Sequence, residues 1–278
     1  MSGQPPAKDS ERPDPASPNP YAPPAAPRGL IDPEHLTRAH VVPVAVFMVF
    51  MILLQLVTAK IGWDHPEAPW WRRDPAHFIY PLQTLTGLAL LFHFRKSYTF
   101  RWSWKWSLAA VVFGAVGIGF WLLPTALYDY WGLTGKTTGL LERFGVQARR
   151  DGFDPGIFEN PAAWWTAVLF RFLRAAVVVA LVEEIFWRGF LMRFVCDWEG
   201  DYWKQAFGRA TWKSYGIVTG LFMLAHAPTD YAGAFVYGSL TYALCVWSKS
   251  LGACVLMHGT ANLLMGLYIM HTGKYGLW

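Results

Sequence analysis

RFLRAAVVVALVEEIFWRGFLMRF, residues 171–194, sets two adjacent glutamates in the middle of an apolar run. A helix that crosses a bilayer needs about 20 mainly apolar residues. One charged residue at the centre of such a helix costs about 2.5–3.5 kcal/mol on insertion scales, and two side by side repel each other. Glu183 and Glu184 therefore persist there only with partners or water. Arg188 follows Glu184 by four positions and shares its helix face, so an ion pair is expected. Glu183 is turned about 100° away and is left free. A free carboxylate beside a paired one suits a general base that holds a water and takes its proton.

Two registers fit this helix. A span at 164–182 buries Arg171 and Arg174, whereas a span at 175–194 lets them reach the interface and sets the glutamates deep. The second strands fewer charges and is preferred, with the two arginines anchoring at the interface rather than binding an anionic substrate end.

Working outward, the rest of the chain has the same character. Hydrophobic residues make up 54% of the 278 and charged residues only 15%, against about 25% charged in soluble domains. The 16 Trp and 12 Tyr suit membrane interfaces. The net charge of +5 is spread among loops, which reads as topology-setting and excludes a nucleic-acid partner. Cys196, Cys245 and Cys254 form no CxxC pair and carry no assigned chemistry.

Residues 1–40, with PPAKDSERPDPASPNPYAPPAAP, are expected to form a disordered, non-catalytic cytoplasmic tail, and they lack the pattern of a signal peptide. Residues 41–278 are expected to form one membrane-embedded, all-α domain, a polytopic bundle of seven to eight spans. The seven are Val41–Ala59, Phe78–Phe94, Ser107–Tyr128, the helix bearing the glutamates, Ser214–Pro228, Ala232–Trp247 and Leu251–Met270. The connection 129–163 holds an eighth span or an interfacial helix near 138–146. The basic loops 95–106 and 195–213 are expected in the cytoplasm.

Two more polar sets lie in late apolar segments. In FMLAH, Phe222 and His226 are four apart; in HGTAN, so are His258 and Asn262. Peptide hydrolysis needs an activated water and donors for the tetrahedral oxyanion. Glu183 and His226 suit the first task, His258 and Asn262 the second. Water is the expected nucleophile, since no serine or cysteine is suitably placed. Glu183, His226 and His258 also match a catalytic zinc shell, although without HExxH spacing.

The motifs EExxxR (183–188), FxxxH (222–226) and HxxxN (258–262), in that order, resemble the CPBP family, which includes CAAX prenyl endopeptidases and bacteriocin-processing proteins. The resemblance covers about residues 165–270. It implies an eight-helix core open to cytosol and lipid in a bacterial inner membrane. It also implies an intramembrane endopeptidase acting on a membrane-bound protein or peptide, without a cofactor in preference to zinc. By position, Glu183 is similar to the family's base and His226 to its water-binding histidine. His258 and Asn262 are similar to its oxyanion group; Glu184 and Arg188, supported by Phe222, are similar to its structural pair. The glutamate segment is also similar to a bacterial CAAX-protease-related branch associated with exosortase systems. Two alternatives stand beside this reading: a non-catalytic scaffold or immunity-type protein, and a proton-coupled transporter, which the lack of an internal repeat ranks last.

Overall fold

A computed structural model describes residues 32–278 of the chain. The regular secondary structure of these residues is all helical, with no strand among them. Seven helices occupy the seven expected stretches: α1 (Pro33–Ile61), α2 (Ala76–His93), α3 (Trp104–Tyr130), α4 (Pro161–Cys196), α5 (Trp212–Leu224), α6 (Tyr231–Ser248) and α7 (Leu251–Thr272). Four of them, α1, α3, α4 and α7, are long and apolar enough to cross a membrane. The connection between α3 and α4 contains no further span, only short 3₁₀ turns such as Gly139–Phe144.

The distribution of polarity is that of a membrane protein. On α3, Leu108, Val112, Val116, Phe120 and Leu123 recur about every turn and are all exposed. Gln83, Thr84, Arg171, Arg174, Glu184, Arg188 and His258 are buried instead. Surface apolar stripes of this length are stable against lipid, and polar groups within must satisfy one another.

Three expectations are corrected. The tail was expected to run to residue 40, and its first 31 residues lie outside the described part. Residues 33–40, however, belong to α1. Asp32 caps the helix by accepting from the Glu34 amide, and Pro33 occupies the first turn. The turns that follow are held by tertiary bonds: Tyr98 Oη donates to the Ala39 carbonyl at 2.7 Å, and Trp203 Nε1 donates to Thr37 Oγ1 at 3.0 Å. These bonds gather the start of α1 and both basic loops at one end of the bundle.

The choice between two registers also dissolves. One continuous helix of 36 residues, α4, contains both. Arg171 and Arg174 are 3% and 7% exposed, so they are enclosed by protein rather than anchored at an interface. Two π-helical runs, Leu173–Val179 and Ile185–Leu191, flank the glutamates. Such wide turns are rare and frequently mark functional sites. Finally, α5 stops at Leu224, so His226 lies beyond the helix rather than on its face.

Small residues let α7 approach its neighbours closely. A methyl group at Gly259 would sit 2.7 Å from the Ala176 carbonyl oxygen on α4, and one at Gly114 2.6 Å from that of Met257. These contacts set the depth at which the α7 side chains face α4.

Candidate active site

Glu183, His226, His258 and Asn262 come from three regions of sequence and line one cavity of about 620 Å³. Helix α4 divides the two glutamates between its faces. Glu183 is half-buried at the cavity wall, and Glu184 behind it is fully enclosed.

Glu184 has two partners. Its Oε1 accepts from Arg188 Nη1 at 3.2 Å, one turn away, and lies 2.8 Å from His258 Nδ1 on α7. The second contact joins two helices 74 positions apart in sequence, and helical spacing alone does not reveal it. Arg188 Nη2 also reaches the Gly238 carbonyl on α6, and its guanidinium lies 5.1 Å from the centre of the Phe222 ring. The Glu184–Arg188 pair therefore ties α4 to α5, α6 and α7.

His226 is placed by the end of α5. Its Nδ1 is 2.7 Å from the Phe222 carbonyl, which can only accept, so Nδ1 carries the proton. The neutral ring then keeps an acceptor at Nε2. The Phe222 and Trp121 rings pack at 4.7 and 5.1 Å between centroids and fix its plane. Phe222 thus positions the histidine through both its carbonyl and its ring.

Asn262 Nδ2 donates to the Ala175 carbonyl, within the first π-helical run, at 2.8 Å. One amide proton is used in that bond and the second remains, on a side chain that lines the cavity.

Sequence reasoning passed over Tyr237. It lines the cavity, is buried, packs its ring 5.8 Å from that of His258, and has no hydrogen-bond partner for its hydroxyl. A single tyrosine in an apolar helix gives no periodic or motif signal. Among the described residues, no three His, Cys, Asp or Glu side chains form a group that could hold a metal ion.

The cavity wall includes Gln147, Arg149, Thr229, Asp230 and Trp278, and no residue of the basic loops 95–106 or 195–213. The cavity therefore lies toward the end of the bundle opposite those loops. The reason is the direction of the chain: α4 runs from that end, and the break after α5 that carries His226 lies there too.

Residues 164–264 match a family model described as type II CAAX prenyl endopeptidase Rce1-like. The matched segment contains all three motifs, and over it the chain is similar to that family. No curated protein and no solved structure matches the chain. The family match and the four helices long and apolar enough to cross a membrane together support a CAAX-type intramembrane protease.

Proposed function

We propose, with the Rce1-like segment as the premise, that this chain is an endopeptidase that cleaves a membrane-associated protein or peptide with a water activated by Glu183 and His226. The observation that carries the reading is the shared cavity: one unpaired carboxylate, two imidazoles and an amide face the same space. Glu183 accepts a proton from water as the hydroxide adds to the scissile carbonyl carbon. His226 Nε2 holds that water as an acceptor. The oxyanion takes hydrogen bonds from the second Nδ2 proton of Asn262 and from His258 Nε2. As the imidazolium, His258 donates from both ring nitrogens, with Nδ1 on the Glu184 carboxylate at 2.8 Å. When the intermediate collapses, Glu183 returns its proton to the leaving amine. In this reading α2, α5 and α6 complete a seven-span bundle with the four longer helices.

Cells producing the parent protein and the Glu183→Gln and His226→Ala variants would be compared by mass spectrometry of membrane-protein termini. New termini are expected with the parent alone. The same termini from a well-folded Glu183→Gln protein would overturn the assignment. Metal analysis of the purified active protein distinguishes zinc chemistry: loss of cleavage on chelation and rescue by zinc would replace the water–glutamate scheme.

A further inference from the structure

One end of the cavity is walled by three segments outside the seven helices. They are the connection between α3 and α4 (Gln147, Arg149), the turn after His226 (Thr229, Asp230) and the stretch after α7 (Gly276, Trp278). The first of these has little to hold it by burial. None of the six residues 147–152 is buried, whereas Val146 and Phe153 on either side are each 7% exposed. The Val146 carbonyl accepts from Thr138 Oγ1, and the Phe153 ring packs 4.1 Å from that of His77. Residues 147–152 are thus a short flap between two fixed points. A single side chain fastens it. Arg149 Nη2 donates to both Asp230 carboxylate oxygens at 2.8 and 2.9 Å, Nη1 to Thr229 Oγ1 at 3.0 Å, and Nε to the Gly276 carbonyl at 3.3 Å. The Arg149 carbonyl accepts from the Gly276 amide at 2.9 Å. One guanidinium therefore joins all three segments. The fit also needs a glycine, because a methyl group at Gly152 would sit 2.2 Å from the Tyr275 carbonyl oxygen. Segments with few buried apolar contacts open locally far more readily than a packed core.

We propose that residues 147–152 are a lid on the cavity and that Arg149 is its latch. The cavity opens when the Arg149–Asp230 pair parts and is enclosed again when the pair re-forms. The bidentate geometry suits such a device, since it is strong when made and is lost as a unit when the fork turns away. Closing also bears on the chemistry. Thr229 and Asp230 follow His226 by three and four residues, so the latch that shuts the cavity also holds the turn that carries the histidine. A lid of this kind excludes water and completes the site in one movement. The proposal rests on this cavity as the place of reaction, and its test reads access rather than cleavage.

The reporter is Met265→Cys, at a half-buried position in the cavity wall, in the full Cys196→Ser chain in detergent. A charged methanethiosulfonate, which stays out of the micelle, labels it. Cys254 is fully enclosed and reacts only on unfolding, and peptide mass spectrometry separates the two sites. Asp230→Asn removes the charge of the latch and is expected to raise the reporter rate at least about tenfold, the effect on a local opening of losing one charge-assisted hydrogen bond. Gly152→Ala, whose methyl keeps the flap off its seat, should also raise the rate, with Cys254 unlabelled in both variants. Arg149→Lys keeps the charge without the fork and should fall between parent and Asp230→Asn. Variant rates equal to the parent's overturn the proposal, whether the shared rate is slow or fast. Where Cys254 labelling shows that Asp230→Asn and Gly152→Ala unfold, Arg149→Lys decides, and a reporter rate equal to the parent's overturns the lid. Failure of the Glu183 assignment reads out separately, as new membrane-protein termini from the Glu183→Gln protein with these labelling rates unchanged.

Discussion

Replacing Glu184 by alanine is expected to destabilise the protein by about 3–5 kcal/mol, the usual cost of removing one partner from a buried ion pair. Glu184 and Arg188 are 0% and 1% exposed, so water cannot replace the lost carboxylate around the guanidinium. The variant also loses the 2.8 Å contact to His258, worth about 1 kcal/mol, while removing Oε2, which has no partner, offsets a similar amount. For a chain of this size each kcal/mol shifts the midpoint by about 2–4 °C, so a fall of about 6–20 °C is expected. Thermal unfolding in detergent, followed by circular dichroism at helical wavelengths, measures it. Glu184→Gln keeps the shape and an acceptor but not the charge, and should lose about 1.5–3 kcal/mol. The combined Glu184→Leu and Arg188→Met protein removes both charges and should recover most of the loss. A Glu184→Ala midpoint within about 2 °C of the parent would refute the reasoning. So would a double variant no more stable than the single one, because the penalty would then not come from the stranded guanidinium.

Gly259→Ala is expected to cost about 1–3 kcal/mol, since its methyl would meet a backbone oxygen that cannot move aside. Gly216→Ala, in a helix and with nothing within 4 Å, serves as control and should be neutral or stabilising in the same melt. Asn262→Ala should lower turnover by about 10²–10³-fold through loss of an oxyanion donor, with little change in KM; a variant that raised KM alone would assign Asn262 to binding instead. In a Cys196→Ser background, Lys105→Cys and Asp151→Cys should react with a membrane-impermeant maleimide from opposite sides of oriented vesicles. Labelling of both from one side would refute the separation of the cavity end from the basic loops.

Several features were legible in the chain because they rest on local rules. Apolar length and charge spacing located seven helices, and the i,i+4 rule found the Glu184–Arg188 pair. It also set Glu183 and Glu184 on different faces, one toward the cavity and one into the core. Boundaries were less legible. The start of α1 depends on Tyr98 and Trp203, which lie far along the chain and hold its first turns in place. Arg171 and Arg174 were misplaced because snorkelling assumes a helix facing lipid, whereas the rings of Tyr80, Phe153 and Trp278 enclose this one.

The sequence by itself determined that the chain is helical and membrane-embedded, and which polar residues it carries into the apolar segments. Helical periodicity and the cost of charge in lipid act within a single segment, so they can be read without the rest of the molecule. Only the tertiary structure decided that Glu184 joins His258 across two helices, that His226 is fixed by a carbonyl at a broken helix end, and that two arginines face the same cavity as Glu183. These relations depend on the relative depth and rotation of separate helices. Close glycine contacts and long-range hydrogen bonds set that depth and rotation, and no single segment encodes them.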